Sequence, residues 1–128
     1  MTQSKQIYKC EICGNVVEVE RIGAGTLVCC GQDMNLEKDN EADADARKHV
    51  PRIVEEDDGE GIKITIGEIL HPMTEEHHIE WVQIMTPYGD IRVKLEVGHE
   101  PVVRLPFLKR SDIQGIRSYC NQHALYVS

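Results

Sequence analysis

The sequence predicts an all-β chain in two parts. A small metal-held module covers residues 1–38, a linker covers 39–46, and an antiparallel β-sandwich covers 47–128. Three observations predict it. Cys10, Cys13, Cys29 and Cys30 have the spacing of a metal site closed by sulfur. The first ~40 residues are too few to bury a self-supporting apolar core, so a bound ion is expected to hold them together. Beyond residue 60 the chain becomes a series of short apolar alternations separated by turn residues, the pattern of a sandwich.

The elements follow in order. Residues 7–10 read as a short strand entering a Cys-x-x-Cys turn, Cys10-Glu11-Ile12-Cys13-Gly14, whose glycine permits tight backbone. Residues 15–21 alternate, with Val17 and Val19 on one face. Gly23-Ala24-Gly25 is a turn, residues 26–28 lead into Cys29-Cys30-Gly31, and Met34 and Leu36 close the module. The acidic stretch 39–45 reads as the linker. Ile62, Ile64 and Ile66 then alternate with Lys63 and Thr65, and Ile79 and Trp81 open an apolar-rich run to Met85. After the turn Pro87-Tyr88-Gly89-Asp90, Ile91, Val93, Leu95 and Val97 repeat with period two. Residues 102–105 and 124–127 are further strands, and 113–119 fits either a helical turn or a strand.

Composition narrows the function. The 128 residues carry a formal charge of −8, which argues against nucleic acid, because phosphate binding needs a basic face. No apolar run approaches the ~18 residues of a membrane span. Residues 1–7 are polar and lack the apolar centre of a secretory signal, so a cytoplasmic protein is expected. Five cysteines, an odd number, argue against a disulfide framework and for metal ligation. The acidic runs 39–45 and 55–60 read as solvated linker and turn.

Four thiolates around one divalent ion suit zinc or iron and leave the site net negative, unattractive to an anionic substrate. Such a site holds a fold together or, with iron, stores an electron. The adjacent pair Cys29-Cys30 departs from the usual second Cys-x-x-Cys of a zinc ribbon and must bend the backbone to reach one ion. A second constellation lies among the six histidines. His49 follows the linker, His71 opens His71-Pro72-Met73, His77 and His78 follow a polar loop, and Cys120-Asn121-Gln122-His123 is a Cys-x-x-His pair that one turn can bring to a metal. His99, in a Gly-His-Glu-Pro turn, and His78 read as surface or hydrogen-bonded residues. Taken alone, the remainder fits zinc, copper or non-haem iron.

Together these pieces resemble desulfoferrodoxin, the two-iron superoxide reductase family, over nearly the whole chain. Tyr8-Lys9-Cys10-Glu11-Ile12-Cys13-Gly14-Asn15 and Cys29-Cys30-Gly31-Gln32-Asp33-Met34 look like its desulforedoxin-type, rubredoxin-like module. Lys48-His49-Val50-Pro51, His71-Pro72-Met73 with His77, Ile79 and Trp81, and Tyr119-Cys120-Asn121 with His123 look like its catalytic domain. The resemblance implies an immunoglobulin-like sandwich, usually dimeric, and two mononuclear irons. Cys10, Cys13, Cys29 and Cys30 would hold the first; His49, His71, His77 and His123, with Cys120 as axial ligand, would hold the second. Lys48 would match the lysine that attracts and protonates substrate. Where the family commonly has a glutamate able to cap the ferric ion, this chain has Arg47. The implied reaction is reduction of superoxide to hydrogen peroxide with electrons from a rubredoxin-like donor. Neutral imidazoles and one thiolate leave a ferrous site net positive, and local field rather than net charge governs capture of a small anion. Two rivals remain at this stage: a zinc-ribbon module fused to an adhesion-like sandwich, and an electron carrier using only the sulfur site.

Overall fold

The computed structural model describes residues 1–39, 49–55 and 61–127. Residues 40–48, with most of the expected linker and with Asp45, Arg47 and Lys48, lie outside the described residues, as do 56–60 and 128. The chain divides into two compact units, Met1–Lys38 and Asp39–Ser128.

The first unit is built from very short strands. β1 (Ile7–Lys9) pairs antiparallel with β2 (Val16–Glu18) on one side and β5 (Asn35–Glu37) on the other; β3 (Val28–Cys29) and β4 (Gln32–Asp33) form a separate hairpin. Thr2 ties the N-terminal segment to the glycine turn. Its hydroxyl donates to the Gly23 carbonyl at 3.1 Å and accepts from the Gly23 N–H at 3.0 Å. Among the described residues of this unit, the buried apolar side chains are Ile7, Cys10 and Val19, whereas Ile12, Val16, Val17, Ile22, Val28 and Leu36 are exposed. That is far too little apolar burial to offset ordering the backbone.

The second unit is a three-on-four antiparallel sandwich. β6 (Pro51–Glu55), β7 (Ile62–Ile66) and β10 (Val102–Leu105) form one sheet in the order β10-β7-β6. β8 (Ile79–Thr86), β9 (Gly89–Lys94), β11 (Gly115–Cys120) and β12 (Ala124–Val127) form the other in the order β12-β11-β8-β9. The inner faces meet in one core. Ile62, Ile64, Ile66, Val103 and Leu105 come from the first sheet; Ile79, Val82, Ile84, Ile116 and Cys120 come from the second. Seven strands split three and four match the immunoglobulin-like architecture. No helix among the described residues is long and apolar enough to cross a membrane.

Three details depart from the sequence pattern. β6 carries a proline and a charged residue in its first two positions and gave no alternation to read; it is a strand because it pairs along its whole length with β7. The period-two run through Val97 is longer than β9, which ends at Lys94; Gly98, at φ +90°, turns the chain there and its N–H donates to the Met73 carbonyl at 2.8 Å. The ambiguous stretch 113–119 resolves as strand, most of it in β11, and the 3-10 turn at Arg110–Asp112 lies just before it. β8 is apolar-rich without strict alternation because it is buried on both faces. Trp81 stacks on Tyr119 at 5.4 Å on the outer face, with the Arg92 guanidinium 4.2 Å from the Trp81 ring.

One backbone approach yields a stability prediction. Gly61 has φ +76°, and a Cβ there would overlap the Pro106 Cα and meet the Leu105 carbonyl oxygen at 2.9 Å. Both are main chain and cannot swing aside. Gly61→Ala is expected to cost about 3 kcal/mol from overpacking and left-handed strain. Calorimetry should show the sandwich melting roughly 10 °C or more lower; an unchanged midpoint would contradict the close approach.

Candidate metal centres

The first centre forms where two turns meet. Cys10 follows β1, and the turn it opens is closed by Gly14 N–H donating to the Cys10 carbonyl at 2.9 Å and by Cys10 N–H donating to the Asn15 carbonyl at 2.8 Å. Cys29 ends β3, and Cys30 and Gly31 are the two-residue loop to β4, at φ +53° and +77°. Two consecutive positive φ values make a hairpin turn of the primed kind. Cys30 is the non-glycine in that turn and accepts about 1 kcal/mol of left-handed strain. This is the backbone bend that lets neighbouring cysteines face one point.

The four sulfurs of Cys10, Cys13, Cys29 and Cys30 lie within 4.8 Å of one another, and none is in a disulfide. Cys13 and Cys29 are 3.6 Å apart, and Cys29 and Cys30 are 3.9 Å apart. Sulfurs about 2.3 Å from one tetrahedral ion are separated by about 3.8 Å, so the spacing fits a shared ion. Protonation makes the same point. The Cys13 N–H, 3.5 Å from the Cys10 sulfur, pulls the Cys10 thiol down to about 6. Hydrogen bonding to the Cys13 sulfur, then to Cys29, pushes Cys30 up to about 12, and Cys29 is raised chiefly by its hydrogen bond to Cys13. Four thiolates cannot ionise side by side without a cation among them. The Asn15 side-chain amide also donates to the Cys29 sulfur at 3.7 Å.

The second centre collects at one end of the sandwich. His49 precedes β6, His71 follows β7, His77 precedes β8, Cys120 ends β11 and His123 sits in the turn to β12. His49, His71 and Cys120 are buried. Donor atoms of His49, His71, His77 and Cys120 lie within 4.8 Å of one another. His123 joins them through its Nδ1, 3.0 Å from His49 Nε2 and 3.8 Å from the Cys120 sulfur. His71 Nε2 is 2.9 Å from His49 Nε2 and 3.5 Å from the Cys120 sulfur.

The imidazoles make an open ring. Neighbouring centroids are 4.4 Å apart for His49–His71, 4.5 Å for His71–His77, 5.0 Å for His77–His123 and 4.8 Å for His123–His49. The His49–His77 diagonal, 6.0 Å, exceeds every side. A tetrahedral clump would make these distances equal. Cys120 belongs to the hydrophobic core, so its sulfur approaches the ring from the protein interior. Two nitrogens about 2.1 Å from one ion at right angles lie about 3.0 Å apart. The observed 2.9 and 3.0 Å fit that, and imidazoles with one thiolate suit a first-row transition metal.

Surrounding groups hold the donors in place. His71 Nδ1 donates to the Pro72 carbonyl at 2.7 Å, which leaves the Nε2 lone pair facing the centre. Burial, with the neighbouring histidines adding, lowers the His71 pKa to about 4, so the ring is neutral. His49 stacks on Tyr126 at 4.4 Å, and the Ser118 hydroxyl donates to its carbonyl at 2.9 Å. The pairing of β8 with β11 skips Glu80, so that Tyr119 faces Trp81 but Cys120 faces Ile79. A bulge of this kind re-aims the side chains beside it.

His99 is exposed, 3.5 Å from Glu96, and His78 Nδ1 lies 2.9 Å from the Thr74 carbonyl, so neither enters the donor set. Ser118 and Tyr126 carry no signal in the sequence, whereas Asn121 stands in the Tyr119-Cys120-Asn121 motif and, inside the Cys-x-x-His turn, gives a local hint, since asparagine suits tight turns.

Residues 2–36 match the family described as desulfoferrodoxin, N-terminal domain, and residues 41–128 match the family described as desulfoferrodoxin. A desulfoferrodoxin homolog from Methanothermobacter thermautotrophicus is 43% identical over 126 residues, covering 98% of this chain and 99% of its own. A superoxide reductase from Thermococcus kodakarensis is 35% identical over 94 residues, covering 62% of this chain and 82% of its own. The crystal structure of the superoxide reductase from Treponema pallidum superposes with a TM-score of 0.74 at 22% identity, covering 96% of each chain, a likeness of fold.

Proposed function

This chain belongs to the desulfoferrodoxin family, and on that footing we propose that it is a superoxide reductase, combining superoxide with one electron and two protons to give hydrogen peroxide. The observation that carries the reading is the open ring of imidazoles backed by the buried Cys120 sulfur. His49, His71, His77, His123 and Cys120 are the proposed ligands of a mononuclear iron, and Cys10, Cys13, Cys29 and Cys30 those of a second. Bound in the ring, iron supplies the transferable electron and a positive charge that draws a small anion.

The chain's own residues prepare that site. Pro72 fixes the His71 tautomer, Ser118 and Tyr126 fix His49, and burial keeps water from the Cys120 sulfur. Lys48, next in sequence to His49, is the proposed group that steers superoxide and hands over a proton, with Arg47 adding charge. A rubredoxin-like protein as donor, a homodimer, a cytoplasmic setting and the division 1–38, 39–46 and 47–128 complete the proposal.

The purified chain should contain two irons with distinct thiolate charge-transfer bands. Given a reductant, it should form one hydrogen peroxide per superoxide consumed. A dismutase forms one per two and releases oxygen. A colourless zinc protein, or oxygen release at the dismutase ratio, would overturn the reading. Lys48→Ala should slow superoxide capture several-fold and flatten its dependence on ionic strength, because screening acts on the steering charge. An unaltered salt response in stopped-flow traces would remove Lys48 from that role.

A further inference from the structure

We propose that Asn121 is the positioning residue that fixes the donors of the second centre relative to one another. The β8–β11 ladder ends where Cys120 faces Ile79. One residue further, the Asn121 N–H donates to the His78 carbonyl at 3.1 Å, as the next rung would. The return bond is different. The His78 N–H donates to Asn121 Oδ1 at 2.9 Å, so a side-chain oxygen takes the place of the main-chain carbonyl.

That exchange frees the main chain to turn. Within three residues of Cys120 it brings His123 back beside it, with the sulfur 3.8 Å from Nδ1, and Ala124 at φ +65° completes the reversal. The Asn121 amide also donates through Nδ2 to the Glu76 carbonyl at 3.1 Å. Its bonds therefore grip the residues on both sides of His77, while Asn121 itself lies between Cys120 and His123. Gln122 adds a second strap onto the same Glu76 carbonyl. Two chain segments more than forty positions apart are joined where no strand pairing remains.

The position needs an acceptor and a donor on one short planar group. Alanine offers neither. Aspartate keeps the acceptor for His78 but loses the donor to Glu76. The inference rests on the metal reading of this centre and not on the identity of the substrate.

The test compares the iron-loaded full chain with Asn121→Ala and Asn121→Asp. The second centre's thiolate band is isolated by subtracting the Cys120→Ala spectrum, iron loss to a chelator is timed, and Trp81 emission reports whether the sandwich is folded. Asn121→Ala should shift the band and release that iron about 10–100-fold faster, the usual cost of removing an outer partner of a metal ligand. Asn121→Asp should fall between it and the wild type, with Trp81 emission unchanged in both. A wild-type band and a release rate within about twofold in Asn121→Ala would overturn the proposal. So would equal defects in both variants, or defects accompanied by the Trp81 emission of an unfolded chain. If Cys120→Ala removes no band from the wild-type spectrum, the metal reading itself fails, and Asn121 positioning with it.

Discussion

Cys120→Ala is expected to abolish superoxide consumption while leaving the sulfur-site iron and its absorption untouched. The substitution removes one buried sulfur from a well-packed core, which costs stability about as one deleted methyl group does, about 1 kcal/mol. The sandwich should therefore stay folded. What is lost is the only anionic donor among the five gathered at this centre. Its neighbour His71 is a neutral imidazole, as the bond to the Pro72 carbonyl and the depressed His71 pKa require. Replacing outer partners of a ligand already costs 10–100-fold, so losing the ligand should cost at least about 100-fold in superoxide consumption. Stopped-flow decay of superoxide, read beside the spectrum, makes the check. Activity within about tenfold of the wild type would return the chain to an electron carrier working through its sulfur site alone.

The readable parts of the fold were those where local sequence alone fixes the outcome. Ile62, Ile64 and Ile66 alternate because β7 has one face in the core and one outside it, and that period survives into the structure. The cysteine pattern was legible because ligand spacing is set by one turn of chain. Pairing, in contrast, is non-local. β6 became a strand because β7 lies beside it, and β9 stopped short because Gly98 and Met73 pull the chain aside. The second centre lay between these cases. The donors His49, His71, His77, Cys120 and His123 could be nominated from their neighbours, but nothing local told how the segments that carry them would meet. The skipped Glu80 and the stand-in oxygen of Asn121, which aim Cys120 and His77, are properties of strand register. Register has no signature within either strand alone.

Removing the metal from the sulfur centre is expected to unfold the first unit and leave the sandwich intact. Met1–Lys38 has strands of two or three residues and three buried apolar side chains among those described, whereas Ile62, Ile64, Ile66, Val82 and Ile84 alone give the sandwich a dense core. Structural metal binding contributes about 10–16 kcal/mol in small thiolate modules, more than such a core could replace. Cys13→Ser should act in the same direction as a chelator, since it removes a sulfur 3.6 Å from Cys29 and the backbone N–H it leaves behind cannot hold the turn to the hairpin. Thiolates bind metal and thiols do not, so stripping should become easier as pH falls. Hydrogen exchange provides the measurement. Amides of β1 and β5 should lose protection on stripping while those of β7 and β8 keep theirs. Continued protection of β1 in the metal-free chain would mean that Ile7, Val19 and the Thr2 strap suffice to hold the unit, and the sulfur site would then be free to serve electron transfer alone.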